Sequence, residues 1–235
     1  MNDKEVPPAY SRRDFYFNFR PMLRDTLHIR WQQLLQPYTP DQGLIEEGFQ
    51  TIISHYTETH RHYHDLHHLH ALLQLQHTYA DHITDNETLS LAIFFHDIIY
   101  DVKQTDNEEQ SALAAGNFLR QTNYPVGKIA QVMDFIRATK THLNTSGNTD
   151  LDYFLDFDLS ILSAPATDYI AYTQQIRKEY SIYPDELYKP GRKKVLAHFL
   201  ALPAIYKTDL FKEQREAFAR QNMEEELKTM DDDRE

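Results

Sequence analysis

The sequence predicts an all-α protein built as one domain, and three observations carry that expectation. Only 6 glycines and 10 prolines punctuate 235 residues, which suits helices joined by short turns better than the many hairpins of a barrel or sandwich. No Ser/Gly/Pro-rich linker or low-complexity stretch divides the chain. Apolar residues recur at spacings of three, four and seven over most of the length, which is the signature of helices that each bury one face.

Taken in order, Asp14 to Gln36 reads as an amphipathic helix carrying Phe15, Phe17, Phe19, Leu23, Leu27, Trp31 and Leu35, with Pro21 near its beginning. Leu44 to Tyr56 repeats the pattern through Ile45, Phe49, Ile52 and Ile53. A third helix starts from Asp65 as N-cap and runs towards His82. Leu89 to Tyr100 is apolar almost throughout, as expected of a helix buried on most sides. Further helices are expected at Glu108 to Gln121 with Asn107 as cap, Val126 to Lys140, Thr167 to Tyr180, Gly191 to Tyr206 and Leu210 to Lys228. The end after Met230 has no apolar anchor and is expected to fray.

Charge and composition narrow the function. Lys and Arg number 24 against 36 Asp and Glu, a formal net charge of −12, which argues against a protein that binds nucleic acid in bulk through its phosphates. With no cysteine, disulfides, thiolate metal sites and thiol nucleophiles are excluded, and any metal must be held by His and carboxylates. No stretch reaches the roughly 20 apolar residues of a membrane span, and Met1 to Arg13 lacks an apolar signal region. A cytoplasmic location without membrane association is the expectation.

Three segments place chemistry-bearing residues in apolar surroundings. Seven of the 13 histidines lie between His55 and His70. An exposed patch of that kind would be an unspecific metal sponge, whereas His64 and His68, four apart, can share one helix face. His96-Asp97 follows eight mostly apolar residues, a setting that is costly for polar groups unless something pairs with them; it is either a satisfied core pair or part of a site. Asp156 and Asp158 again sit among large apolar side chains, with a helix N-cap as the competing explanation. Together a His, a His-Asp and an Asp amount to an open N/O site suited to a transition metal, Mg²⁺ or Mn²⁺.

The order His68, His96-Asp97, Asp158 resembles the H…HD…D signature of the HD superfamily of metal-dependent phosphohydrolases. Further segments resemble its predicted-phosphohydrolase branch: Arg61-His62-Tyr63-His64, Ala92 to Asp101, Asp106-Asn107-Glu108-Glu109, Ala138-Thr139 with His142, Asp156-Phe157-Asp158-Leu159, Ile176 to Tyr180, Gly191-Arg192 and Glu216 to Asn222. The resemblance runs from about Trp31 to about Leu227. Where such proteins carry Tyr-His-Asn-Leu-Glu-His, this chain has Tyr63-His64-Asp65-Leu66-His67-His68, so the ligand choice among His64, His67 and His68 stays open.

The resemblance implies a single HD-domain-type helical bundle at residues 31–228, a helical N-terminal extension at 1–30 and a frayed acidic tail at 229–235. It implies a divalent ion, whether Mn, Mg, Fe, Ni, Co or Zn, held by His68, His96, Asp97 and Asp158. It also implies hydrolysis of a small phosphate ester, a nucleotide being the default. Asp97 would orient or deprotonate the attacking water. His64 and His142 would bind a second metal, steady the phosphate or hand a proton to the leaving group, unless His142 is merely an exposed loop residue. Arg61, Lys140, Arg177 and Arg192 are the cations suited to a phosphate, although Arg177 can instead pair with Glu179 or Glu108. Asn107 and Glu108 are either substrate contacts or an ordinary helix start. A di-iron oxygenase of the HD fold and a non-catalytic metal-binding or regulatory protein are the rival functions. A homodimer stays open.

Overall fold

A computed structural model describes the backbone of residues 12–232 and the side chains of residues 22–230. Among them the fold is entirely helical, with no strand. The helices are α1 (Arg12–Leu35), α2 (Gln42–Tyr56), α3 (Leu66–Thr78), α4 (Asn86–Phe95), α5 (Asn107–Leu119), α6 (Val126–Ala138), α7 (Thr149–Asp158), α8 (Ala166–Glu179), α9 (Asp185–Ala201) and α10 (Asp209–Asp232). None is long and apolar enough to cross a membrane. Expectations for residues 1–11 and 233–235, and for the side chains of Phe15, Phe17 and Phe19, lie outside the described residues.

The buried centre is α4. Leu89, Leu91, Ala92, Ile93, Phe94 and Phe95 are all sealed from solvent, and α3, α5, α6 and α7 pack around it. A helix that is apolar on every side is stable only inside such a ring. α1 runs unbroken past residue 30, where an extension was expected to end, and sends Leu23, Leu27, Trp31 and Leu35 into the same core. Trp31 meets Phe94 edge-on at 5.2 Å and donates its indole N–H to Ile45 O at 2.7 Å, so its one polar atom is satisfied.

Helix starts follow local capping chemistry. Asp41, Asp65, Asp85 and Asn148 each accept a backbone N–H from the first turn of α2, α3, α4 and α7, fulfilling donors that a helix end otherwise leaves unpaired. Asn107 departs from expectation: it is not the cap of α5, because its side-chain amide is occupied bridging Asp101 N and Asp101 O. The cap position falls to Asp106, which makes no side-chain cap bond.

The remaining departures concern where helices begin and end. α4 stops at Phe95 rather than Tyr100, which leaves His96 as its C-cap and Asp97 in the following turn. α3 stops at Thr78, and Ala80–His82 forms a separate 3₁₀ turn. α7 is an unexpected helix, with Asp156 and Asp158 in its last turn; Asp158 also stands at the N-cap position of the 3₁₀ turn Leu159–Ser163, but its side chain makes no cap bond. α9 begins at Asp185 and accommodates Pro190 in its interior, where the Pro190-Gly191 pair reads as a break. It ends at Ala201 because Leu202 precedes Pro203 and takes extended backbone (φ −66°, ψ 143°), as steric contact with a following proline favours. α10 continues through 229–232, where fraying was expected.

Close packing makes one glycine testable. A Cβ on Gly48 would lie 2.5 Å from Phe118 and 2.9 Å from Trp31, whereas one on Gly127 would meet nothing within 4 Å. Gly48→Ala is therefore expected to destabilise by about 1–3 kcal/mol through overpacking, while Gly127→Ala stabilises by about 0.5 kcal/mol through helix propensity and reduced unfolded-state freedom. Urea denaturation of both variants measures the opposite signs.

Candidate metal centre

Three separated segments converge at one end of α4. His68 lies in the first turn of α3, His96 caps α4, Asp97 follows in the turn, and Asp158 ends α7. His96 Nδ1 lies 2.8 Å from Ile93 O, and a carbonyl only accepts, so Nδ1 carries the proton. In the neutral ring Nε2 is then the lone-pair nitrogen, the tautomer a metal ligand requires. That Nε2 is 3.1 Å from His68 Nε2, 3.1 Å from Asp97 Oδ2 and 3.8 Å from Asp158 Oδ1. His68 Nε2 is 3.3 Å from Asp158 Oδ1 and 3.7 Å from Asp97 Oδ2.

These spacings suit an ion. Donors bound at about 2.0–2.2 Å to one metal stand roughly 3.0–3.5 Å from their neighbours around it. His68, His96 and Asp158 offer ligand atoms that all lie within 4.8 Å of one another, and Asp97 joins them from the His96 side. Both imidazoles are buried, while the Asp97 and Asp158 side chains keep 19% and 15% exposure. The solvent-facing part of the donor set is thus its carboxylates.

The electrostatics are those of two carboxylates facing imidazoles in a site shielded from water. Burial works against a charge on His96, but Asp97 and Asp158 outweigh it and lift the imidazole to about 9. Burial likewise works against ionising Asp97, yet His96 and His64 hold it well below the usual carboxylate range. Asp158 is held low against the same burial by His142 and His68. The cluster therefore favours positive charge at its centre, whether carried by protons or by a cation.

Three side chains aim the ligands. Arg61 is sandwiched between Tyr56 and Tyr100 and donates to Asp97 O at 2.6 Å, Ile98 O at 3.0 Å, His64 O at 3.2 Å and Glu58 at 2.9 Å. Tyr56 Oη accepts Asp97 N–H at 3.2 Å, so the Asp97 backbone is gripped from both sides. Glu179, whose side chain is fully buried, accepts the backbone N–H groups of His62, Tyr63 and His64 at 2.8, 2.7 and 2.9 Å on one oxygen. Its other oxygen takes Tyr100 Oη–H and His64 Nδ1, both at 2.7 Å. Burial pushes this carboxyl up, but the His64 ring and the backbone donors prevail and bring it down to about 2.

The outer residues divide into two groups. His64 and His142 join the cluster: the His64 ring stands 5.6 Å from that of His68, and His142 Nε2 is 2.9 Å from Asp158 Oδ2. His142 is no exposed loop residue, since its side chain is 18% exposed and its backbone takes φ 51°, a left-handed conformation rare outside glycine. His67 points instead to Asp65, at 3.1 Å.

The cations expected to grip phosphate are otherwise engaged. Arg61 serves the protein's own carbonyls. Arg177 binds Asp185, Tyr180 O and Tyr183 O and lies over Tyr188, not Glu179 or Glu108. Lys140 reaches Thr105 O and stands 4.0 Å from Glu108. Among the described residues no hydrogen bond or ion pair links Lys140, Asn107 or Glu108 to the four clustered side chains. A local pattern shows only that these residues are polar; their partners are set by tertiary packing. Glu179 is the positioning residue that sequence reasoning passed over, because its partners lie up to 117 positions away.

Comparisons with family profiles, curated proteins and solved structures found no match.

Glu179→Ala is expected to destabilise the fold by about 3–5 kcal/mol, because it removes the acceptor of several buried donors. Glu179→Gln keeps an acceptor for the three amides and should recover part of the loss. Denaturant titration of the pair measures the difference; equal stability of Glu179→Ala and the parent would show that these bonds do not hold the His64 loop.

Proposed function

We propose that the protein is a metal-dependent phosphohydrolase of the HD type, acting on a small phosphate ester. The observation that carries this reading is the convergence of His68, His96 and Asp158, whose ligand atoms lie within 4.8 Å of one another, with Asp97 Oδ2 3.1 Å from His96 Nε2 and 3.7 Å from His68 Nε2. A divalent ion held there would lower the pKa of a bound water and neutralise charge on the phosphoryl oxygens. Four protein ligands leave room for water and substrate on an ion that accepts six, unlike a closed structural zinc site.

The chain's own groups supply the rest of the chemistry. Asp97 orients the attacking water, whose oxygen bonds to phosphorus and whose protons stay with the orthophosphate product. The bond from phosphorus to the alcohol oxygen breaks, and His64 gives a proton to that oxygen, so that the products are orthophosphate and a free alcohol. His64 suits this role because Glu179 occupies its Nδ1 and leaves Nε2 for the transfer. His142 steadies Asp158 through their 2.9 Å contact. A cytoplasmic small-molecule phosphohydrolase accords with the net charge of −12, which disfavours bulk nucleic acid.

A second reading, a di-iron oxygenase, draws support from the same two outer histidines, which stand close enough to the cluster to serve a second ion. Two irons per chain with an absorbance that changes on exposure to O₂ would favour it. The phosphohydrolase reading is tested by orthophosphate release from a panel of phosphate esters with added Mn²⁺. Asp97→Ala is expected to lose at least about 10³-fold in rate while its circular dichroism stays that of the parent. Release that persists undiminished in Asp97→Ala would overturn the assignment.

A further inference from the structure

A cleft of about 170 Å³ opens beside the cluster, with His64, His142 and Asp158 on its lining. We infer that this cleft seats the alcohol portion of the substrate and that the substrate is a phosphate monoester of a small, mainly apolar alcohol, of phenyl or short-alkyl size. The inference rests on the phosphohydrolase reading for its phosphate end, and on the cleft walls alone for the rest.

Three observations carry it. First, the walls beyond the cluster are mainly apolar: Leu159, Ile161 and Leu162 come from the turn after α7, Val195, Leu196 and Phe199 from α9, and Tyr63 and Tyr172 add aromatic rings. The α9 residues, with Arg192, fall at positions i, i+3, i+4 and i+7, so one helix face forms one wall. The Phe199 ring stands edge-on to His142 at 6.1 Å, which puts the apolar surface directly against the chemistry.

Second, the one arginine lining the cleft is already neutralised. Arg192 makes a two-pronged pair with Glu226 at 2.8 and 2.9 Å and reaches Tyr172 Oη at 3.4 Å, while Tyr169 donates to the same Glu226 at 2.6 Å. Its guanidinium closes the wall without offering a second anion site. A diphosphate would thus find no unpaired arginine for its second phosphate, and the mainly apolar walls offer few partners to a ribose, a penalty that disfavours both.

Third, the volume is small. Sites for drug-sized ligands run to about 300–1,000 Å³, so 170 Å³ seats one ring or a short chain, and a nucleoside would project beyond the walls. The nucleotide expected from resemblance fits the cleft poorly on both size and polarity.

The test is calorimetric titration of the Mn²⁺-loaded protein with phenyl phosphate, ribose 5-phosphate, adenosine monophosphate and orthophosphate, alongside phosphate release from each ester. Phenyl phosphate is expected to bind at least about tenfold tighter than the other three. That preference should collapse in Phe199→Ala and weaken in Val195→Asn, which alters a position 45% exposed and so leaves the fold intact. Preferred binding without hydrolysis of any ester supports the cleft and sinks the phosphohydrolase reading. Hydrolysis with equal or better binding of ribose 5-phosphate or adenosine monophosphate overturns the cleft assignment and leaves the activity standing. Phenyl phosphate binding no tighter than orthophosphate, or no ester binding at all, also overturns it.

Discussion

Two imidazole nitrogens 3.1 Å apart, with two carboxylates pressed against them, form the constraint around which this fold is arranged. Bringing ionisable groups out of water costs several kcal/mol each unless they are paired, and here they are paired chiefly with one another. Carboxylate repels carboxylate, and imidazole lone pairs repel each other, so the group holds together only when positive charge lies between them. The protein brings this cluster together by anchoring backbone rather than by packing side chains alone. Arg61 and Tyr56 grip the Asp97 peptide, and Glu179 grips the three amides before α3. Asp156 holds Lys207 N and Thr208 N at 2.6 and 2.8 Å, and Asp150 holds Thr84 N and Asp85 N at 2.8 Å each. α7 is thereby fixed at both ends, and with it Asp158.

The same rigidity shapes the reaction proposed. Ligands that sit on helix ends and tied turns need little reorganisation when an ion or substrate arrives, which is the condition for electrostatic stabilisation of a transferring phosphoryl group. His68 and His96 are buried on the core side, and Asp158 also lines the cleft walled by the turn after α7 and by α9. In the proposed reading substrate selection falls to α9, whose Val195, Leu196 and Phe199 form a wall only once the neighbouring segments are placed.

Legibility in the sequence follows the range of the interactions involved. α2, α3 and α6 were readable because their apolar stripes are local, with Asp65 capping α3 as expected, and α4 because a nearly continuous apolar run marks a buried segment, although its end lies at Phe95 rather than Tyr100. α7 was not, since its buried residues, among them Leu151, Tyr153, Phe154, Leu155 and Phe157, cover most of its circumference and erase the helical period, and its acids read as caps. α9 was shortened because Pro190-Gly191 carries a strong local breaking signal that tertiary packing overrides. His68, His96, Asp97 and Asp158 stood out through their order and apolar surroundings; His68, His96 and Asp158 come together as a group that could hold an ion, and Asp97 lies 3.1 Å from His96. The roles of Arg61, Arg177, Lys140, Asn107 and Glu108 were not legible, because a charged or amide group in a sequence does not reveal whether its partner is a substrate or a carbonyl of its own chain.

The most direct measurement is the binding of Mn²⁺ to untagged protein, followed by calorimetry and confirmed by elemental analysis, in the parent, His96→Ala and Asp158→Ala. About one equivalent is expected in the parent, with affinity reduced at least about 100-fold in each variant, since even residues that only orient metal ligands typically change affinity by about 10- to 100-fold. Unchanged binding in both variants would mean that the ion is held elsewhere, for instance by the exposed histidines before α3, and would contradict a metal centre at His68, His96, Asp97 and Asp158.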